Sequence, residues 1–222
     1  MKKIRLDSLI TLKELAKSRS YAQAMILAGK VIVCGRKIDK PGTLVSKDSK
    51  INIIEPLHPW VSRGGTKLSH AIKTFNINVS GLTTADIGSS TGGFTDVLLS
   101  LGAKMVYSVD VGYGQLAWKI RNDSRVKVIE RTNAKNLNIN HIDDPLDLVV
   151  CDVSFISVTK VLPKVFSLTK PGAILISLIK PQFEVGYNES EKGIVRDKIL
   201  HDKVCKNISD WLEYSMDWQV KG

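Results

Sequence analysis

The chain has 222 residues, 43% of them hydrophobic and 24% charged, which is enough for one ordinary domain plus a small one and excludes a disordered tract. The longest strongly apolar run, Ala173 to Ile179, is far shorter than the roughly 20 residues a membrane-spanning helix needs, and charged residues interrupt the N-terminus before a signal-peptide core can form, so a cytoplasmic protein without stable membrane insertion is expected. Cys34, Cys151 and Cys205 are far apart, and His70, His141 and His201 have no ligand spacing, so neither a disulfide framework nor a metal centre is expected. The net charge of +10 is uneven: residues 1–60 carry 12 Lys/Arg against 5 Asp/Glu, and the remainder 20 against 17. A concentrated basic segment attracts polyanions, and nucleic acid is the expected partner.

In chain order, Ser8 to Lys17 places Leu9, Leu12 and Leu15 on one helical face, and Ser20 to Leu27 forms a second short helix that stops before Gly29. Val31-Ile32-Val33, a turn at Cys34-Gly35-Arg36, then Leu44-Val45 and Ile51 to Ile54 read as a small β unit. The residues Arg5-Leu6-Asp7, Ser18-Arg19, Ala22, Gly29, Val31, Val33, Gly35 and Lys40-Pro41-Gly42 resemble the S4-type RNA-binding domain, a small α+β module. That resemblance implies RNA contact through the basic helical face, with Lys17, Arg19 and Lys30 as candidate phosphate contacts; such contacts position an RNA without reading its sequence. Residues 1–55 are assigned to this domain, 56–61 to a linker and 62–222 to a second domain. Trp60 in the linker is expected to dock on one of its flanking domains.

From Thr84 onward strands and helices alternate. Candidate strands are Thr84 to Gly88, Met105 to Asp110, Val126 to Glu130, Leu146 to Asp152 and Ala173 to Lys180, and the spacing implies an α/β fold with a parallel sheet covered on both faces. Arg196 to Tyr214 reads as an amphipathic helix with Leu200, Val204, Ile208 and Trp211 along one stripe. The first strand runs into Asp86-Ile87-Gly88-Ser89-Ser90-Thr91-Gly92-Gly93-Phe94, a Gly-rich turn that opens a helix. Glycines there let backbone approach a ligand, and the free N–H groups of the helix start favour an anionic group. The spacing is neither the dinucleotide fingerprint nor a phosphate loop. Asp110, 24 residues after Asp86 and at the next strand's tip, suits the ribose hydroxyls of a nucleoside cofactor. Asp110, Asp152 and Lys180 all follow apolar runs, so they should meet the Asp86 loop in one crevice beyond the strands' carboxyl ends.

Four segments carry a second resemblance: Trp60-Val61-Ser62-Arg63-Gly64-Gly65-Thr66-Lys67-Leu68, the Asp86 loop, Cys151-Asp152-Val153-Ser154-Phe155-Ile156-Ser157, and Leu178-Ile179-Lys180-Pro181-Gln182-Phe183-Glu184. Together they resemble the TlyA family of ribosomal RNA 2′-O-ribose methyltransferases, also labelled haemolysin A, with an FtsJ-like catalytic domain on the Rossmann-like methyltransferase sheet. The resemblance implies S-adenosylmethionine as cofactor and ribosomal RNA or ribosomal subunits as partner. Carried over, Gly88, Ser89, Ser90, Thr91, Gly92, Gly93 and Phe94 hold the methionine part of the cofactor, Asp110 its ribose, and Arg131-Thr132-Asn133 the adenine neighbourhood, with Asn133 its binding candidate; Asp86 faces the same pocket, and Arg63 joins the RNA contacts. Lys67, Asp152 and Lys180 match three members of a Lys-Asp-Lys-Glu catalytic set. An unperturbed lysine titrates at about 10.4, and keeping Lys180 neutral near pH 7 for use as a base takes about 4 kcal/mol of bias. Trp218 to Gly222 reads as a sixth strand, and the family's late Gly-Asn-x-Glu has no counterpart, so the last strand is expected to be missing and the fifth strand's edge exposed. Two other readings follow: a cofactor- and RNA-binding protein without turnover, and a membrane-active haemolysin.

Overall fold

The continuous apolar run Leu148-Val149-Val150-Cys151 calls for a strand covered on both faces, and the computed structural model of the chain has a sheet of that kind. It describes residues 3–16, 18–54, 58–185 and 194–222. The chain divides into two units, Met1–Pro59 and Trp60–Gly222.

In the N-terminal unit, β1 (Lys3–Arg5) pairs antiparallel with β4 (Leu44–Ser46), while β2 (Val31–Val33) lies between β3 (Arg36–Lys37) and β5 (Ile51–Ile53). Helices α1 (Leu6–Leu12) and α2 (Arg19–Leu27) close over a core of Leu6, Ile10, Ala22, Ile26, Val31 and Val33. The first helix begins and ends earlier than its leucine spacing predicts. Arg5 is extended as part of β1, and Glu14 turns the chain with φ 57° while the Leu15 N–H returns to the Ile10 carbonyl, so Leu15 leaves the helical face. Ser18 caps α2 by accepting the Tyr21 N–H, and Gly29 at φ +66° ends the turn that follows.

The C-terminal unit is a five-stranded parallel sheet, ordered β10-β9-β6-β7-β8. The strands are β6 (Thr83–Ile87), β7 (Met105–Val109), β8 (Val126–Ile129), β9 (Leu146–Cys151) and β10 (Thr169–Ser177). On one face lie α3 (Gly64–Thr74), α4 (Gly93–Ser100) and α5 (Trp118–Arg121), around Leu68, Val97, Leu98, Val106, Leu148 and Val150. The other face packs α6 (Val158–Phe166) and α8 (Lys198–Ser215) over Ile87, Tyr107, Val149, Val161, Val204 and Ile208. The chain leaves β6 for β7 on one side and returns to β9 on the other, which opens a crevice at the carboxyl end of β6.

Residues 218–222 form no strand. After α8, Asp217 at φ 57° reverses the chain; the Trp218 N–H donates to the Leu212 carbonyl and its ring lies 4.5 Å from that of Phe166. Its burial against a helix therefore replaces the expected strand pairing, and β10 borders the sheet among the described residues.

Candidate active site

Backbone geometry explains the glycines after β6. Gly88 has φ +84°, and a Cβ there would lie 3.0 Å from the Asp152 carbonyl, so the exits of β6 and β9 approach only because the position has no side chain. The N–H groups of Gly88 and Ser89 both donate to the Val109 carbonyl, which ties the loop to β7. Gly92, at φ +92°, begins α4, and Gly93 admits Ser62 so closely that a Cβ would come within 2.2 Å of its hydroxyl. Trp60 packs on Gly65 at the first turn of α3 and joins the core beneath α4.

Asp86 sits inside β6, fully buried. Its Oδ2 accepts the Thr95 N–H at 2.9 Å and the Thr95 hydroxyl at 2.7 Å, while Oδ1 has no partner. Burial, aided by the charges of Asp152 and Asp110, pushes its carboxyl up to about 7 against the opposing Thr95 donors. Asp110, just past β7, is held at both oxygens: the Ser90 N–H donates to Oδ2 and the Gly112 N–H to Oδ1, each at 2.7 Å.

Two cavities share Gly88, Ser90, Asp152 and Ser154 as walls. The first, about 320 Å³, extends from Gly88 along Asp110, Thr132, Asn133 and Phe155. The second, about 610 Å³, is lined by Arg63, Lys67, Asp86, Ser89, Asp152 and Lys180, with Thr91, Gly93 and Phe94 of the loop. Gly92 lines neither; it packs on Leu116 behind the loop.

Asp152 stands between two ammonium groups. Lys67 on α3 reaches its Oδ2 at 3.0 Å, and Lys180 reaches its Oδ1 at 2.6 Å while donating to the Ser154 hydroxyl at 2.8 Å. The Lys180 and Asp152 side chains are 21% and 18% exposed, and Lys67 is 50% exposed, so a wet opening leads to a partly screened pair. Lys180 lies beyond β10 at the start of α7 (Pro181–Glu184), with Pro181 at the first helical position. Glu184 does not join the set, because its carboxylate accepts the Val158 N–H and caps α6.

The remaining candidates are dispersed. Arg63 precedes α3 at the rim of the larger cavity. In the N-terminal unit, Arg19 opens α2 and Lys30 is half-buried ahead of β2; Lys17 lies outside the described residues. Phe155, which entered the sequence reading only as part of the Cys151–Ser157 segment, is 90% exposed at φ 66°, with its ring 5.0 Å from Phe183. No described helix is long and apolar enough to cross a membrane.

Comparison with known proteins fits this geometry. The FtsJ-like methyltransferase family model matches residues 60–220, and the S4 domain model matches residues 4–51. The chain belongs to the FtsJ-like methyltransferases. Within that family, it is 46% identical over 201 residues to the 16S/23S rRNA (cytidine-2′-O)-methyltransferase TlyA of Mycobacterium tuberculosis, covering 90% of this chain and 75% of that one. Hemolysin A of Brachyspira hyodysenteriae is 43% identical over 206 residues, covering 92% of this chain and 85% of its own length. A solved structure from Streptococcus thermophilus, described as a hemolysin, matches 100% of this chain and 82% of that chain with 38% identity and a TM-score of 0.72. The FtsJ-like segment contains the whole Lys67–Asp152–Lys180 cluster and both cavities.

Proposed function

We propose that the protein transfers a methyl group from S-adenosylmethionine to a ribose 2′-hydroxyl of ribosomal RNA, in the cytoplasm where ribosomal subunits reside. The observation that carries this reading is the Lys67–Asp152–Lys180 cluster at the mouth of a Gly-rich cavity. The unpartnered, buried Asp86 Oδ1 and the glycine cradle beside Asp152 fit a cationic cofactor. Bound S-adenosylmethionine supplies an electrophilic methyl group on a cationic sulfur.

The chain's own residues do the rest. Ser89, Ser90, Thr91, Gly93 and Phe94 line the methionine side, with Gly92 shaping the loop behind them, while Asp110 is pre-oriented by two backbone donors to receive ribose hydroxyls and Asn133 borders the base. Lys180, once it has given up its own ammonium proton to solvent, takes the proton from the acceptor 2′-hydroxyl as that oxygen attacks. Asp152, gripped on both sides, and Lys67 fix where that nitrogen sits, so positioning contributes as much as proton transfer. Arg63 at the rim meets the RNA phosphates, and the exposed Phe155 ring offers the target nucleobase a stacking face. In the S4 domain, Lys17, Arg19 and Lys30 contribute phosphate contacts, and residues 56–61 link the two functions.

The test is transfer of labelled methyl from the cofactor to separated ribosomal subunits. The parent chain is expected to label RNA, and Lys180→Ala to lose about 10²-fold or more in rate with cofactor affinity within a few-fold of the parent. Equal labelling by both would remove Lys180 as the base. A parent that binds cofactor and RNA without labelling would instead be the binder without turnover, a reading favoured by the absence of a glutamate from the cluster among the described residues.

A further inference from the structure

The pairing of β9 with β10 stops short of Lys180. Its last rung joins Cys151 to Ser177, and one further bond runs from the Leu178 N–H to the Cys151 carbonyl at 2.9 Å. Lys180 lies beyond both, extended at φ −116° and ψ 96°, where the sheet no longer fixes the backbone. The chain then makes α7, a single turn whose bonds run from the Phe183 N–H to the Lys180 carbonyl and from the Val185 N–H to the Pro181 carbonyl. So short a turn does not hold itself in water, and the place of Lys180 depends on what α7 is fastened to.

Glu184 supplies the fastening. Its Oε1 accepts the Val158 N–H at 3.0 Å, one of the donors at the start of α6 that have no acceptor within the helix. The next donor, the Thr159 N–H, goes to the Ser157 hydroxyl of the same segment. Helix α6 is a firm support, because Val158, Val161, Leu162 and Val165 are buried in the core. Two stretches of chain are thereby joined at both ends: Lys180 meets Asp152 and Ser154 at one, and Glu184 meets Val158 at the other. Between them Phe183 lies against Phe155, but so exposed a ring contributes little burial.

We propose that Glu184 is a positioning residue for Lys180: by tying α7 to the first turn of α6, it sets where the Lys180 amine stands against the Asp152 carboxylate. Glu184 touches neither cofactor nor RNA. The inference rests on the reading of Lys180 as the base and adds what holds that base in place. A displacement of about 1 Å at a reacting group costs on the order of 10²-fold in rate, so a bond made outside the cavity has its effect inside it.

Charge and reach predict opposite orders for two substitutions. Glu184→Asp keeps the charge but is one methylene too short for the Val158 N–H, whereas Glu184→Gln gives up the charge and keeps an accepting oxygen at the same reach. The experiment measures kcat and KM for methyl transfer by the full chain to ribosomal RNA, with thermal melts alongside. Ser157→Ala is the comparison, since it removes a bond from the same end of α6 and leaves α7 untouched. Expected are kcat values about 10- to 100-fold lower for Glu184→Ala and Glu184→Asp, with KM for RNA and for cofactor unchanged and kcat restored in Glu184→Gln. Glu184→Ala and Ser157→Ala should both melt about 2–4 °C below the parent, yet Ser157→Ala should keep the parental kcat. Limited acylation with acetic anhydride, read at Lys180 by mass spectrometry, needs no turnover: Glu184→Ala should raise labelling there about 5-fold as the amine leaves Asp152, and Ser157→Ala should not.

Parental kcat in Glu184→Ala, an equal loss of kcat in Ser157→Ala, or Glu184→Asp outperforming Glu184→Gln overturns the proposal. Should Glu184→Ala fail to fold, the order of the Asp and Gln variants decides. A parent that methylates no RNA removes the reading of Lys180 as the base; acylation then decides the tie by itself, and equal labelling of Lys180 in parent and Glu184→Ala overturns it.

Discussion

Burial strips Asp86 of water while Thr95 satisfies only one of its oxygens, so the chain maintains a carboxyl near neutrality at the floor of the larger cavity. Because its folded value of about 7 lies above the unfolded value of about 3.9, the group is not penalised below about pH 4, and stability is lost as pH rises through 7. Asp86→Asn is thus expected to melt several degrees above the parent at pH 8 and at parental temperature at pH 4, while binding S-adenosylmethionine more weakly. Calorimetry at the two pH values checks this, and a pH-independent difference would contradict it. Asp110, Asp152 and Lys180 were legible in the sequence because a charged residue closing an apolar run marks a strand's exit. Phe155 was not, since its exposure follows from a positive φ that no local residue pattern announces. Phe155→Ala should raise the KM for RNA about 5- to 100-fold, the size of one lost base–aromatic contact, read from initial rates of label transfer.

At the scale of elements, the start of α4 is held by close packing with few side-chain bonds of its own. Gly93 faces Ser62, Gly65 faces Trp60, and Asp96 in the first turn accepts the Val61 N–H at 2.9 Å. Gly93→Ala would press its methyl group on the Gly65 backbone nitrogen at 3.0 Å and on Ser62, a conflict of about 1–3 kcal/mol. Urea unfolding should register that loss, together with weaker cofactor binding because the same turn lines the cavity. Strands β7 and β9 were readable because double-sided burial writes itself as largely apolar runs, whereas β6, with two threonines and an aspartate, was readable from the Gly-rich turn that follows it. Helix α1 differs from its leucine spacing at the start because Arg5 pairs with Leu44, distant in sequence, and at the end because Glu14 takes a positive φ in a local turn that the spacing does not announce. The apolar residues near Trp218 imitated a strand, but Phe166 captured the indole.

Over the whole molecule, the excess of positive charge in residues 1–60 and the alternation of strands and helices after Thr84 indicated a basic module ahead of an α/β unit, and the structure divides at Pro59. Sequence alone could not show that Arg5 and Arg19 share the Asp7 carboxylate, since the pair is assembled by β1 and α2 packing on α1. The charge distribution predicts that methyl transfer to ribosomal RNA weakens steeply between about 50 and 200 mM salt, as counterion release requires, while equilibrium binding of cofactor to the C-terminal cavity changes little. The central claim concerns where the methyl group lands. Ribosomal RNA labelled by the parent chain, digested to nucleosides and separated, should carry its label on 2′-O-methylated ribose, with none above background after reaction with Lys180→Ala. Label on a nucleobase, or undiminished ribose label from Lys180→Ala, would contradict the account.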